Sequence, residues 1–275
     1  MRNFSFRGLT AVLSLTCIAF SAPVHADLQK IRHDGILKVA VYNEFAPFSN
    51  KSAGIDVDFA EALAKKLGLK LSLLPFNAGE NLNDDLRNMV WKGHYLGYGP
   101  ADVLLHVPVD RRLMDDNDKV EIFAPYHVET VRLVTNKKTV PDFDGLGSLA
   151  GKKIGVEKIS IAAMVMLGEE NGKYRDNVKI FTTANEALEK LKAGELDAVL
   201  ANRSEIESAL KDDPNFALNA VQFQRLPRKG WAVGMAVKKD QVELAKLLQA
   251  TTNDLVASGE LANIFIKHGV HIVKP

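Results

Sequence analysis

The feature that most constrains the fold is an alternation of strands and helices that occurs twice along the chain. The apolar segment Ile36–Tyr42 reads as a buried strand, a helix ending at Gly68 follows it, and further strand–helix steps come after. Beyond a loop-like stretch at 139–151 the alternation begins again. This pattern predicts an α/β protein with parallel, doubly wound sheets. We expect two lobes, each a doubly wound sheet with flanking helices, and a hinged cleft between them.

The order of these elements predicts the domain organisation. Residues 27–130 would form the first part of lobe 1, residues 131–230 would form lobe 2, and residues 231–275 would return to lobe 1. Clefts between domains are a preferred place for small ligands. The chain is therefore expected to hold a small molecule between its lobes.

The N-terminal segment 1–26 has the pattern of a cleavable signal peptide. Arg2 and Arg7 precede an apolar run that is too short to span a bilayer, and Ala26 ends a small-residue cleavage site. We expect a periplasmic protein. The only cysteine, Cys17, lies inside this segment, so lipid attachment there is the alternative.

Composition excludes several classes of site. Acidic and basic residues nearly balance, 34 against 35, which argues against a nucleic-acid partner. The predicted mature chain has no cysteine, and its histidines lack the helical spacing typical of metal ligands. No metal, cofactor or catalytic residue is expected, and the chain is interpreted as a monomeric binding protein rather than an enzyme.

A buried strand that ends in polar residues marks a candidate site. In "LDAVLANRSEIE" the apolar run Leu196–Ala201 stops at Asn202 and Arg203. Side chains just beyond the carboxyl ends of such strands often line a ligand crevice.

An ordered set of motifs resembles a known family. These motifs include "LKVAVYNEFAPFSN", "GIDVDFAEALAKKLGLKL", "FAPY", "GELDAVLAN" and "ASGELANIFIKHG". Together they are similar to the family 3 extracytoplasmic solute-binding proteins, receptors of ABC importers for amino acids and related compounds. The resemblance implies the type II periplasmic-binding-protein fold, a small-molecule ligand and an inner-membrane ABC permease as partner.

The resemblance also implies which residues bind the ligand. Phe45 takes the place of an aromatic residue that packs on the ligand, and Tyr42 takes a nearby position that is often acidic. Arg111 or Arg112 would clamp a ligand carboxylate. The backbone N–H groups at a helix start would receive the same carboxylate from the second lobe; these belong to Ser160, Ile161 and Ala162.

Asn202 departs from the family pattern, which has an aspartate there to bind an α-ammonium group. An amide offers hydrogen bonds but no charge, so we expect a carboxylate-bearing ligand rather than a standard amino acid. The stretch "RNMVWKGHYLGYGPADVLLHVPVDRR" resembles a branch associated with periplasmic quinoproteins. That resemblance suggests pyrroloquinoline quinone, with the arginines, Arg203 among them, and Trp231 as contacts. His106 is a further expected ligand-binding residue.

Three alternative functions remain open. The first is an ordinary amino-acid receptor. The second is an exported dehydratase-like enzyme of the same fold, for which Glu44, Glu129 or His127 would be the general acid or base. The third is a non-transport accessory protein of a periplasmic quinoprotein dehydrogenase.

Overall fold

The computed structural model describes residues 26–224, 226 and 230–275, so residues 1–25 of the expected signal peptide lie outside it. The strands are β1 Ile36–Tyr42, β2 Lys70–Phe76, β3 Val103–Pro108, β4 Val120–Glu129, β5 Val131–Asn136, β6 Ile154–Glu157, β7 Val178–Phe181, β8 Ala198–Asn202, β9 Phe216–Asn219 and β10 Trp231–Lys238. The helices are α1 Ala26–Asp34, α2 Ile55–Lys66, α3 Leu82–Leu86, α4 Arg111–Asp116, α5 Ile161–Gly168, α6 Ala184–Lys192, α7 Arg203–Leu210, α8 Val242–Ala257 and α9 Glu260–Lys267. A π-helical turn, Arg87–Trp91, extends α3.

The strands form two five-stranded sheets, with orders β2-β1-β3-β10-β4 and β7-β6-β8-β5-β9. In the first sheet β1 runs parallel to β2 and β3, whereas β10 is antiparallel to both β3 and β4. In the second sheet β6 runs parallel to β7 and β8, whereas β5 is antiparallel to β8 and β9. We call each sheet with its packed helices a lobe, the first and the second.

The predicted α/β class with two sheets and flanking helices is confirmed, but the expectation of wholly parallel sheets is wrong. The antiparallel strands are those at the passages between the lobes. β4 leads into β5 through Thr130 alone, and β10 enters the first sheet after β9 without a helix in between among the described residues. Parallel neighbours need a long crossover, usually a helix, and antiparallel neighbours do not. The expected domain boundaries stay a prediction.

Each lobe has its own apolar core. In the first lobe α2, α8 and α9 bury Phe59, Leu248 and Phe265 against the sheet. In the second lobe α5 packs Val165 and Met166 on the sheet. The Trp231 side chain packs against both cores, so the start of β10 lies where the lobes meet.

The C-terminal tail, residues 269–275, contacts both lobes. The carbonyl of Val273 accepts the N–H of Val128 at 2.9 Å, next to the end of β4. The N–H of His271 donates to Glu207 Oε2 of α7 at 2.8 Å. The tail therefore connects the first lobe to the second beside the strand passage at Thr130.

In the part of the chain that the structure describes, no helix combines the length and apolarity needed to cross a bilayer. Within the same residues, no three His, Cys, Asp or Glu side chains come together in a way that could hold a metal ion.

Candidate functional site

A cavity of about 350 Å³ lies where the carboxyl ends of strands from both sheets meet. Its walls are Tyr42, Asn43, Glu44, Phe45, Ala78, Leu82, His106, Pro108, Glu129, Asn202 and Trp231, and we call it the cleft cavity. This volume is within the range of small-molecule sites. The cleft cavity brings together five predicted site residues: Tyr42, Phe45, His106, Asn202 and Trp231.

A second cavity, of about 390 Å³, lies at the other end of the first sheet, against Lys30, Ile36 and Trp91. It contains none of the predicted site residues and has no wall from the second lobe. The smaller cleft cavity is the candidate site because polar and aromatic side chains from both lobes converge there.

One wall of the cleft cavity is a cluster of aromatic rings. Phe45 stacks on the buried Phe48 with ring centroids 5.5 Å apart, and it meets the His106 ring edge-on at 4.8 Å. The Tyr42 ring is 5.9 Å from Phe45 in an edge-on arrangement. These contacts hold Phe45 in place with its remaining surface directed at the cavity.

His106 is held in the cavity wall by two buried polar residues, Tyr126 and Asp56. Its backbone N–H donates to the Tyr126 hydroxyl at 3.1 Å, and that hydroxyl donates to Asp56 Oδ1 at 2.8 Å. The His106 Nδ1 lies 3.2 Å from Asp56 Oδ2, but no hydrogen bond of good alignment forms there. His106 has a positive φ of 60°, which turns this residue out of the regular strand.

Glu129, the last residue of β4, is a buried acid in the cavity wall. Its Oε1 accepts the N–H of Thr130 at 2.8 Å and the N–H of Ser204 at 3.4 Å. Burial raises the pKa of the Glu129 carboxyl, and contacts with Ser204 and Thr130 offset part of that rise. The sequence had indicated Glu129 only as a possible acid or base of an enzyme.

Asn202 ends β8 opposite Val131 and is the N-cap residue of α7. Its backbone N–H donates to Glu205 Oε2 at 2.9 Å. Burial raises the pKa of Glu205 to about 8, and the nearby charges of Glu157 and Glu129 contribute to the rise. Asn202 therefore both starts a helix and lines the cavity.

Glu205 makes folding stability depend on pH. An unfolded Glu loses its proton near pH 4.5 and the folded one near pH 8, so between these values the folded state holds more protons and stability falls as pH rises. We expect Glu205→Gln, which keeps an acceptor for Asn202, to raise the unfolding free energy by about 1–3 kcal/mol at pH 8 and to change it little at pH 5. Urea unfolding at both pH values measures this.

Glu186→Gln is the matched control, because Glu186 occupies the same third position of α6 and is exposed. It should leave the pH dependence unchanged. A Glu205→Gln variant whose stability falls with pH as steeply as that of the wild type would contradict this account of Glu205.

The two predicted clamp arginines are not at the cleft cavity. Their side chains are 87% exposed for Arg111 and 91% exposed for Arg112. Arg111 Nε lies 3.1 Å from Asp115, and Arg112 Nε lies 3.9 Å from Asp116, each one helical turn along α4. Because α4 presents both side chains to solvent with carboxylates at i+4, neither is placed to clamp a ligand in this cavity.

The other predicted contacts from the second lobe also lie outside the cavity walls. Ser160 caps α5, since its Oγ accepts the N–H of Ala163 at 3.0 Å and donates to the Glu157 carbonyl at 2.7 Å. Neither Ser160 nor its neighbours Ile161 and Ala162 line the cavity. Arg203 is also absent from the walls, and its Nε instead donates to Glu207 on the same helix.

His127 and Ser204 do not form a nucleophile and base. The N–H of Val273 donates to His127 Nδ1 at 3.1 Å, so Nδ1 carries no proton and Nε2 does. Nε2, 3.2 Å from the Ser204 hydroxyl, is then a donor rather than the acceptor that activation of a serine requires. Burial lowers the pKa of His127 to about 3, which keeps the ring neutral.

Sequence reasoning missed several walls of the cleft cavity. Asn43 directly follows β1 and could have been found by the strand-end rule that singled out Asn202. Leu82 and Pro108 gave no such signal, because their place in the wall depends on how α3 and β3 pack.

No protein-family profile matches the chain. The L-cystine-binding protein TcyJ of Escherichia coli strain K12 is 23% identical over 273 residues, covering 93% of this chain and 92% of that protein. The L-arginine-binding protein of Pseudomonas aeruginosa is 26% identical over 278 residues, covering 98% and 96%. A cyclohexadienyl dehydratase from the same species is 38% identical over only 79 residues, 26% of this chain and 30% of that enzyme.

Among solved structures, an ancestral cationic amino acid solute binding protein superposes with a TM-score of 0.70 at 19% identity, covering 89% of this chain and 100% of that one. The relatives that match over nearly the whole length of both proteins are named for amino acids, and nothing in these comparisons supports the quinone-associated branch suggested by the sequence. With the two sheets and the cavity between them, the structural likeness shows that the chain has the type II periplasmic-binding-protein fold.

Proposed function

We propose that this chain is an exported solute-binding receptor that captures a small amino-acid-type ligand in the cleft cavity. The observation that carries the proposal is the cavity itself, where strand ends of both lobes converge on Phe45, Asn202 and Trp231. The names of the full-length relatives, an L-cystine-binding and an L-arginine-binding protein, support the ligand class.

The charges of the cavity support an amino-acid ligand over a polycarboxylate. Among the residues that the structure describes, its walls contain two acids, Glu44 and Glu129, and no lysine or arginine. A planar tricarboxylate would bring three negative charges next to these acids without a guanidinium to match them. A zwitterionic or cationic ligand fits this lining better.

We also propose how the protein is exported, how its lobes are composed and which partner it serves. The segment 1–26 would direct export to the periplasm, and residues 27–130 with 231–275 would form one lobe and 131–230 the other. The two lobes would close on the ligand, and the closed monomer would present it to an ABC permease of the inner membrane. Hinged closure on ligand is the established behaviour of periplasmic binding proteins.

The test is a thermal-shift screen of residues 27–275, refolded to remove any bound ligand, followed by calorimetric titration. The panel holds the standard amino acids, L-cystine, dicarboxylates and pyrroloquinoline quinone. A ligand at 100 times its dissociation constant stabilises the native state by about 2.7 kcal/mol. We expect one or a few amino acids to bind with 1:1 stoichiometry. Stabilisation by the quinone alone would overturn the amino-acid proposal.

The local similarity to a dehydratase makes an enzyme the second candidate. Glu44, His106 and Glu129 in the cavity walls are the residues that such a reaction would use as acid or base. The same screen separates the two functions, because an enzyme would convert the compound during titration, whereas a receptor would return it unchanged on denaturation.

A further inference from the structure

Glu129 has an unsatisfied oxygen at a functional position. The residue is only 2% exposed, yet it forms part of the cleft-cavity wall. Oε1 accepts backbone N–H groups from Thr130 and Ser204, whereas the buried Oε2 has no hydrogen-bond partner among the described residues. A buried carboxyl oxygen without a partner is costly. Its position in a ligand cavity points to a partner that arrives from outside the chain.

Neither a lysine nor an arginine pairs with Glu129 among the described residues, and the charge of His106 acts to lower the Glu129 pKa. His127 Nε2 is 4.0 Å from Oε2, but that ring is neutral. Arg203, on the facing helix α7, is paired with Glu207. His106 lies in the same cavity wall, and its Nδ1 faces Asp56.

The two nearby acids, Glu44 in the cavity wall and Glu205 at the start of α7, would repel an ionised Glu129. The described surroundings therefore supply hydrogen bonds for Oε1, whereas Oε2 has neither a hydrogen-bond partner nor a paired lysine or arginine.

From this arrangement we infer that Glu129 is the charge anchor of the site and receives the cationic group of the ligand, an ammonium or a guanidinium. The inference rests on the proposed function and specifies its ligand chemistry. Asn202 lies next to this anchor, since it pairs with Val131 across the strands and its neighbour Arg203 donates its N–H to the Thr130 carbonyl at 2.8 Å. Its amide supplies a hydrogen-bond acceptor, and Glu129 supplies the negative charge that Asn202 lacks.

The aromatic walls fit the same ligand. Trp231 pairs with Glu129 in the register of β10 and β4, so its side chain starts beside the anchor. Phe45 also lines the cavity. Aromatic rings attract cations through their negative faces, so a cationic group held at Glu129 would lie between a carboxylate and aromatic surface.

The anchor has a consequence for pH dependence. Because burial raises the pKa of Glu129, a fraction of empty receptors holds this carboxyl protonated as pH falls towards the acid range. A bound cation favours the ionised form, so binding releases a proton from that fraction. Affinity should therefore weaken as pH falls. His127 and Glu205 contribute less because neither lines the cavity, whereas Glu44 and His106 line it together with Glu129.

The experiment compares wild type with Glu129→Gln, which keeps an acceptor for the Thr130 and Ser204 N–H groups and removes the charge. Calorimetric titrations use L-glutamine, L-arginine and agmatine, which separate an α-ammonium, an added guanidinium and a cation without a carboxylate. We expect wild type to bind at least one of them and Glu129→Gln to lose tenfold or more in affinity for it. Glu121→Gln, at the other end of the same strand and outside the cavity walls, is the matched control and should bind as wild type does.

The outcomes separate this inference from the proposed function. If wild type binds an amino acid and Glu129→Gln binds it equally well, the anchor is wrong and the receptor proposal stands. If wild type binds no amino acid or amine, both fail. Should Glu129→Gln not fold, wild-type titrations at pH 5.5 and 7.5 in two buffers of different ionisation enthalpy decide the matter. Proton release at the lower pH supports the anchor, and its absence overturns it.

Discussion

Replacing Gly54 with alanine should destabilise the protein by about 3 kcal/mol or more and abolish ligand binding. Gly54 has φ 136° and ψ 177°, a backbone conformation that is essentially restricted to glycine. A Cβ there would lie 2.3 Å from the Phe48 carbonyl oxygen. The oxygen is a main-chain atom and the Cβ is bonded directly to the main chain, so neither atom can move without moving the backbone. Relief of this clash would displace the loop that carries Phe45.

The loop before α2 explains why stability and binding should fall together. The N–H of Asp56 donates to the Phe48 carbonyl at 2.8 Å, and the N–H of Ile55 donates to that of Pro47 at 3.0 Å. These bonds fix Phe48 under Phe45, which forms the aromatic wall. A displaced loop therefore opens the cavity.

Gly68→Ala is the control for Gly54→Ala, because Gly68 has φ 68° but open space where a Cβ would stand. It should cost only about 1 kcal/mol through backbone strain. Chemical unfolding and the thermal-shift screen measure both variants. A Gly54→Ala protein as stable as Gly68→Ala would show that the close approach to Phe48 is not important.

Replacing Asp56 with alanine should lower the free energy of unfolding by about 1–3 kcal/mol, the range for leaving a buried hydrogen-bonding group without its partner. Asp56 is 1% exposed and is the acceptor for the Tyr126 hydroxyl at 2.8 Å. Its removal leaves that buried hydroxyl without its acceptor and removes the charge next to His106. The His106 ring, part of the cavity wall, would lose its support, so ligand affinity should fall as well.

Glu61→Ala is the control for Asp56→Ala, since Glu61 is an exposed residue on the same helix α2. It should change stability by no more than about 0.5 kcal/mol. Guanidinium unfolding gives both values. A loss below 1 kcal/mol for Asp56→Ala would mean that the Asp56–Tyr126–His106 group contributes little to the first lobe.

The sequence predicts the fold well because its signals are local. Apolar runs such as Ile36–Tyr42 become central strands, and that predicted range coincides with β1. The strand-end rule also brings Tyr42 and Asn202 to one cavity, although they lie in different sheets. What local patterns could not give is the direction of β10, because that depends on the path of the chain between the lobes.

The site was predicted less completely, for reasons visible in particular residues. Arg111 and Arg112 match a family position by type, but the placement of α4 and the acids at i+4 decide that they face solvent. Because position 202 carries an amide rather than an acid, the sequence predicted a carboxylate-bearing ligand. The structure places an acid from another strand, Glu129, in the same cavity. A charge can be supplied from any strand that ends at the cleft, so one substitution does not define ligand charge.

The most direct test of the central claim uses the two tryptophans of the chain, Trp91 and Trp231. Only Trp231 lines the cleft cavity, so a Trp91→Phe variant reports on that cavity through fluorescence, and Trp231→Phe reports on the rest of the first lobe. The amino acid with the largest thermal shift is titrated into both. We expect a saturable fluorescence change in Trp91→Phe and none in Trp231→Phe. Calorimetric binding to Trp91→Phe without any change in Trp231 fluorescence would contradict this expectation.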